Sequence, residues 1–315
     1  MTEKKGEFVR SISQFRDTIP SAAYPAEKGR YILYANYLCP WAHRTLITRA
    51  LEGLEDMIEF IEVDQFDFER GWIFSGKYGP SSDPITGVKT LREFYEHIRP
   101  GSLKNGVASV PTLFDKKTQS NINNESSEII RMFESGFDSL LPPAQREANK
   151  GNRGLLPDSL KDDIDAMNAW VYESINNGTY RVGFASTQEA YEANVPKFYQ
   201  GLDRLEKHLS SQGPYLFGDS ITEADIRTFP TIFCFDIAYP KFFTRKPGDV
   251  KLIREHYPNV DKWLQRLYGD ESEMTNGGAV KKTSNFAKMR EGSKKVPNMD
   301  VAYQAPTIDI LPLAV

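Results

Sequence analysis

Hydrophobic and polar positions alternate from Tyr31 to Leu38 (YILYANYL), shift to a helical spacing from Pro40 to about Leu54, and alternate again from Ile58 to Val63 (IEFIEV). A period of two places successive side chains on opposite faces of a strand, and a period near 3.6 turns one helix face to a core. These stretches therefore predict a β-α-β unit. Asp64 to Ser82 shows no sustained period and reads as a long loop, although its aromatics Phe66, Phe68, Trp72 and Phe74 call for a cover or for a pocket to line. Val88, Leu91, Phe94, Tyr95 and Ile98 recur at helical spacing and predict a second helix from Ile85 to about Ile98. Val110 to Asp115 and Ser120 to Ile122, joined by Lys116-Lys117-Thr118, predict an antiparallel hairpin, and Glu125 opens a third helix that runs through Phe133.

The order β-α-β-α-β-β-α is that of an α/β thioredoxin-like domain, whose first two strands are joined by a right-handed crossover. The thirty residues before it are rich in Ser, Pro, Lys and Glu without an apolar period, and read as an extended arm packed on the surface. After Leu141-Pro142-Pro143 and the linker Lys150 to Gly154, strand signals vanish. Ile164, Met167, Val171 and Ile175 make one helical stripe; Phe198, Leu202, Leu205 and Leu209 make another; Val260, Trp263, Leu264 and Leu267 make a third. The expected organisation is an arm over 1–30, a thioredoxin-like domain over 31–145 and an all-α domain over 155–315. Thr222 and Asp225 stand as N-cap and N3 of a capping box, with Ile221 and Ile226 as its hydrophobic staple, which reads as a folding device. Asp270 to Val296 is polar and reads as loop, and Thr307 to Val315 as an extended strap.

A chain of 315 residues with 40% hydrophobic and 26% charged positions is long enough for two globular cores, which excludes a disordered or fibrous protein. Its net charge of −4, from 39 basic and 43 acidic residues, provides no field for a phosphate backbone or an anionic membrane face. Neither nucleic acid nor a membrane is expected as partner, and no apolar run approaches the ~20 residues that span a bilayer. Two cysteines, Cys39 and Cys234, are too few for a disulfide framework. With no charged-then-apolar leader before Tyr31, the expected compartment is the reducing cytosol. On that ground the sequons Asn124-Glu125-Ser126 and Asn177-Gly178-Thr179 are chance occurrences.

Candidate chemistry begins where the first strand hands over to the first helix, at Cys39-Pro40-Trp41-Ala42. A thiol at a helix N-terminus faces backbone N–H groups and the positive end of the macrodipole, which both favour thiolate. Pro40 at the first helical position has no N–H to lose. Ala42 stands where a dithiol motif has its second cysteine, so an external thiol must resolve any mixed disulfide. His43 and Arg44, within about one turn, either add positive charge near the sulfur or face solvent. Cys234, inside an apolar helix, reads as core. Val110-Pro111 opens a strand, and a cis bond there would leave the Val110 N–H and C=O open to an extended peptide. Glu125-Ser126 at the third helix start either caps that helix or, with its backbone donors, receives a group bearing both amine and carboxylate, such as the γ-glutamyl end of glutathione.

The motif Cys39-Pro40-Trp41-Ala42-His43-Arg44, the loop Gly71-Trp72-Ile73-Phe74, the run Val110-Pro111-Thr112-Leu113-Phe114-Asp115 and the stretch Asn123 to Phe133 resemble glutathionyl-hydroquinone reductases, the Xi class of glutathione transferases. Ile175 to Ala185, Thr222 to Arg227 and Phe235 to Tyr239 resemble the same family, and the likeness runs from about residue 5 to 268. It implies the glutathione transferase fold, Cys39 as nucleophile, and glutathione held by Trp72, Val110 through its backbone, Glu125 and Ser126. It also implies Tyr180 and Tyr239 facing an aromatic, quinol-type substrate from the helical half, Tyr180 as the phenol that stabilises or protonates the substrate oxygen, and a homodimer. No metal is needed. One departure stands out: the family's tyrosine-bearing stretch near the C-terminus corresponds here to Phe286 to Ser293, which has no tyrosine.

The expected activity is deglutathionylation of glutathionyl-hydroquinones through a glutathione mixed disulfide on Cys39, at a cleft between the two domains. Two alternatives remain open: an omega-type thiol transferase or dehydroascorbate reductase that uses the same cysteine without an aromatic pocket, and a non-catalytic binding relative.

Overall fold

The computed structural model describes residues 6–104, 106–243 and 250–293. Its described residues divide into two compact units: 11–151 with 282–284 in one, and 6–10, 152–281 and 285–293 in the other. The expected strap at Thr307 to Val315 lies outside the described residues.

The first unit is built on four strands, β1 (Tyr31–Ala35), β2 (Ile58–Glu62), and, past an inserted hairpin, Thr112–Asp115 and Ser120–Asn123. The hairpin supplies β3 (Gln65–Asp67) and β4 (Gly71–Ile73), so the last two strands of the main sheet are β5 and β6. The sheet order is β2-β1-β5-β6, with β1 and β2 parallel and the other pairs antiparallel. Helices α1 (Pro40–Leu51), α2 (Leu91–Ile98) and α3 (Ser126–Ser135) complete the β-α-β-α-β-β-α order that the periodicity predicts. Every side chain of β1 is buried, as a central strand covered on both faces requires.

Three expectations need correction here. The segment from Asp64 to Ser82 is no plain loop, because β3 and β4 pair within it, Phe66 opposite Trp72. Of its aromatics Phe74 is buried, whereas Phe66 and Phe68 stay 39% and 49% exposed, packed on each other and, for Phe66, on Trp72. Helix α2 starts at Leu91, not Ile85: Thr90 and Glu93 form a capping box, and Asp83 ties the preceding turn through Ile85 N–H, Thr86 N–H and the Thr86 hydroxyl. The arm lies along the surface, as expected, but not only on it. Phe15 and Ile19 are buried in the core, and Arg16 bridges to Asn123 at the β6 edge.

The second unit is helical: a short α4 (Glu147–Lys150) closes the first unit, and then come α5 (Lys161–Val171), a π-helical turn at Tyr172–Asn176, α6 (Asn177–Gly183), α7 (Gln188–Gln212) and α8 (Glu223–Ala238). Short helices α9 (Pro240–Phe243) and α10 (Ile253–His256) precede α11 (Pro258–Gly269). All three apolar stripes expected from periodicity are buried. At Gly201 of α7 a Cβ would sit 2.6 Å from the Ser174 hydroxyl oxygen, so the π turn and α7 approach as closely as they do only with glycine there. Asp270 to Val296, expected as loop, contains α12 (Ala279–Thr283) and α13 (Phe286–Ser293). Among the described residues no helix is long and apolar enough to cross a membrane, and no cluster of three or more His, Cys, Asp or Glu side chains could hold a metal.

Candidate active site

The turn between β1 and α1 is fixed by one side chain. Asn36, fully buried, donates through Nδ2 to the Val63 carbonyl (2.7 Å) and accepts the Leu38 N–H at Oδ1 (2.7 Å). Cys39 follows as the N-cap of α1, extended at φ −82° and ψ 113°, with Pro40 at the first helical position. Its carbonyl accepts the His43 N–H at 2.8 Å, and its side chain makes no capping hydrogen bond. The helix start is thus left without the side-chain acceptor that N-cap positions favour. The half-buried thiol donates instead to the Val110 carbonyl at 3.6 Å. Val110-Pro111 is cis, as expected. The Val110 carbonyl, expected to stand open, thus accepts from the Cys39 thiol with one of its two lone pairs. Because a thiolate has no proton to donate, that contact belongs to the neutral form and is released on ionisation.

His43 departs from both readings offered for it, and Arg44 from the solvent-facing one. His43 is fully buried, its Nε2 is 3.2 Å from the Ser284 hydroxyl, and burial drives its pKa from 6.5 to about 3, only partly opposed by a hydrogen bond with the Thr283 backbone. It is neutral at physiological pH and brings no charge to the sulfur. Arg44 is buried as well, with its guanidinium 4.7 Å from the Trp41 ring and Nη1 3.5 Å from the Ser126 hydroxyl. Its charge points to the start of α3, the other helix N-terminus of the candidate site.

At that start Glu125 is the N-cap, and its carboxylate accepts from the Ser127 N–H and hydroxyl and from the Ser13 hydroxyl (3.0 Å). The capping alternative for Glu125 is therefore real. Ser126 is buried and opens the helix, and Asn124 behind it pairs with the arm at Phe15 N–H and with the Ser109 hydroxyl. Trp72 is half-buried on β4, its ring 5.0 Å from Phe66. Sequence reasoning passed over Asn36, Ser13 and Asn124. Asn36, directly after a strand, carried a turn signal, whereas Ser13 and Asn124 work through contacts over a hundred residues apart.

In the helical unit Tyr180 lies half-buried on α6, and Tyr239 caps the C-terminus of α8, 6.3 Å from the Phe235 ring. The π turn before α6 inserts an extra residue into the helix that carries Tyr180, and such turns recur at functional sites. Residues Phe286 to Ser293 form α13, with the Phe286 ring against Phe233 (4.7 Å) and Tyr268 (5.3 Å). Cys234 is buried against Met289, as its core reading requires.

Residues 38–135 match the glutathione S-transferase N-terminal domain, and residues 188–266 match the glutathione S-transferase C-terminal domain. The glutathionyl-hydroquinone reductase PcpF of Sphingobium chlorophenolicum is 42% identical over 266 residues, covering 84% of this chain and 80% of its own. The crystal structure of the glutathione transferase Xi of Phanerochaete chrysosporium is 41% identical and superposes with a TM-score of 0.86, over all of this chain and 97% of that one. The chain belongs to the glutathionyl-hydroquinone reductases, the Xi class of glutathione transferases. An omega-like 2 glutathione S-transferase of Schizosaccharomyces pombe is 43% identical, over 85% of this Xi-class chain and 83% of its own. The N-terminal match opens one residue before Cys39 and closes at the end of α3, so it spans both helix starts described above. The C-terminal match begins at α7 of this transferase and includes Tyr239 but not Tyr180.

Proposed function

We propose that this chain reduces glutathionyl-hydroquinones with glutathione, and that Cys39 is its nucleophile. The observation that carries the reading is the start of α1, where a cysteine takes the N-cap without making a cap and holds its sulfur at the Val110 carbonyl. A thiolate there attacks the glutathione sulfur of the thioether. The new S–S bond joins Cys39 to glutathione, and the carbon–sulfur electron pair goes to the aromatic ring, which takes up a proton and leaves as hydroquinone. The thiolate of a second glutathione then attacks the mixed disulfide, releasing glutathione disulfide and the Cys39 thiolate, a ping-pong cycle that needs no second cysteine in the chain.

In this reading the Val110 backbone, Trp72 and the Glu125–Ser126 helix start hold glutathione. The N–H groups and dipole of α3 suit its γ-glutamyl carboxylate, and the Glu125 carboxylate suits its amine. Tyr180 and Tyr239 meet the aromatic ring, with the Tyr180 hydroxyl at a substrate phenol oxygen. A homodimer in a reducing cytosol belongs to the same reading; light scattering on the purified protein tests the first part.

A second reading, a thiol transferase acting on glutathione disulfides, is favoured by Phe286, which has no hydroxyl where the family's tyrosine-bearing stretch falls. Intact-mass spectrometry separates the two. After incubation with a glutathionyl-benzohydroquinone, one glutathione on Cys39 together with released hydroquinone supports the reductase. An adduct formed only from glutathione disulfide supports the transferase, and no adduct from either leaves a binding protein.

A further inference from the structure

The N-terminal arm returns to the helical unit at Tyr180. Gly6 accepts the Ser186 N–H at 3.0 Å, which docks the arm just beyond α6. The Phe8 ring then packs against both Tyr180 (5.7 Å) and Phe184 (5.6 Å), which lie 5.7 Å apart on successive turns of the helix, so the three rings form a triangle. Two residues on, the guanidinium carbon of Arg10 stands 4.4 Å from the centre of the Tyr180 ring, and Arg10 Nε donates to Asn177 Oδ1 at 3.1 Å. Asn177 is buried on the same turn of α6 as Tyr180, so the hydrogen bond fixes where the cation sits.

We propose that Arg10 is a positioning residue for Tyr180, and through it a determinant of specificity for phenolic substrates. The proposal rests on the reading of Tyr180 given above. A guanidinium held over a tyrosine face does two things. It locks the ring against rotation about its side-chain torsions, and its positive charge favours the phenolate side of the hydroxyl's equilibrium, which makes that hydroxyl a stronger donor to a substrate phenol or developing oxyanion. Phe8 and Phe184 pack against the same ring and restrict it further. The arm is thereby part of the aromatic-substrate apparatus, a role its lack of periodicity hides.

The test is a double-mutant cycle on the full chain with two substrates, a glutathionyl-benzohydroquinone and glutathione disulfide, both read as glutathione transfer to Cys39. Arg10→Met keeps the stem and removes the cation. It is expected to lower kcat/KM for the quinol thioether about tenfold, the size of one cation–π contact, through kcat more than KM. Transfer from glutathione disulfide, which has no phenol, is expected to change less than about twofold, and this also shows that the variant is folded. Arg10→Lys recovers part of the loss. In a Tyr180→Phe background Arg10→Met adds no further loss. Equal losses on both substrates, or additive losses in the double variant, overturn the proposal. If Tyr180→Phe slows the quinol reaction but Arg10→Met does not, this inference fails and the role of Tyr180 stands; if Tyr180→Phe is silent, both fall.

Discussion

At the start of α8 the Thr222 N–H and hydroxyl both donate to Asp225 Oδ2 at 2.9 Å, while Asp225 Oδ1 accepts the Leu216 N–H and the Trp263 indole N–H. Ile221 and Ile226 are buried on either side, where a hydrophobic staple puts them. At the start of α1 the N-cap is Cys39, whose side chain makes no capping hydrogen bond. One helix start is satisfied by a side chain of the fold; the other has no side-chain cap, and the proposed function puts a ligand or a thiolate there. Buried Asp225 illustrates the cost of the first arrangement, since desolvation pushes its carboxyl up and its hydrogen bonds work against that rise. Under the proposed reading of Cys39, the contrast teaches that a missing cap worth about 1 kcal/mol is itself a signal of function when a thiol stands in its place.

The widest gap between the two helix starts is expected in turnover. Cys39→Ser should lower steady-state glutathionyl-hydroquinone reduction by about three orders of magnitude or more, whereas Asp225→Ala should leave turnover per folded molecule unchanged. Loss of activity at Asp225 with full activity at Cys39→Ser would invert the comparison.

Stability should show the reverse. Asp225→Ala strands the Thr222 N–H, Leu216 N–H and Trp263 N–H inside the protein, for a loss of about 3 kcal/mol or more in urea unfolding. A loss below about 1 kcal/mol would mean that the capping box is incidental.

His43 sharpens the account of α1. Its folded pKa of about 3 lies below its ordinary 6.5, so the unfolded chain binds more protons between those values and stability falls as pH drops through that window. Between pH 7 and 5 the loss is about 2 kcal/mol, at 1.36 kcal/mol per unit below the unfolded value. His43→Gln should flatten that part of the pH profile in denaturant titrations; an unchanged slope would mean that the imidazole is not held neutral by the fold.

The smallest effect falls again on Cys39. Serine is a preferred N-cap, so Cys39→Ser should raise stability by about 0.5 to 1 kcal/mol while it abolishes turnover. Thermal unfolding of the inactive variant reads this directly, and a lowered midpoint would show that the thiol had been serving the fold.

The periods of two and 3.6 make the strand and helix order of both units legible, because each element longer than about one turn buries one face. What they miss has identifiable causes. Strands β3 and β4 have three residues each, too few for a period to register. The start of α2 was signalled by Thr90 and Glu93, three apart, but the apolar Ile85 and Val88 extended the apparent helix past its cap. Phe15 and Ile19 are single apolar residues in a polar arm, and only their partners across the sheet reveal them as core. At the candidate site, the place of Cys39 follows from the switch of period at residue 39. The burial of His43 does not, since it is closed over by Thr283 and Ser284, some 240 residues away. The π turn at Tyr172–Asn176 leaves the hydrophobic stripe intact and is invisible to it.

The central claim is that α1 begins on a sulfur ionised by the helix field. The rate of iodoacetamide alkylation of Cys39 against pH, followed by peptide mass in a Cys234→Ser background, measures that ionisation without any substrate. The account predicts half-maximal rate well below pH 8.5, the value of an unperturbed thiol, and no added step near 6.5 from neutral His43. A midpoint at or above about 8.5 would contradict it.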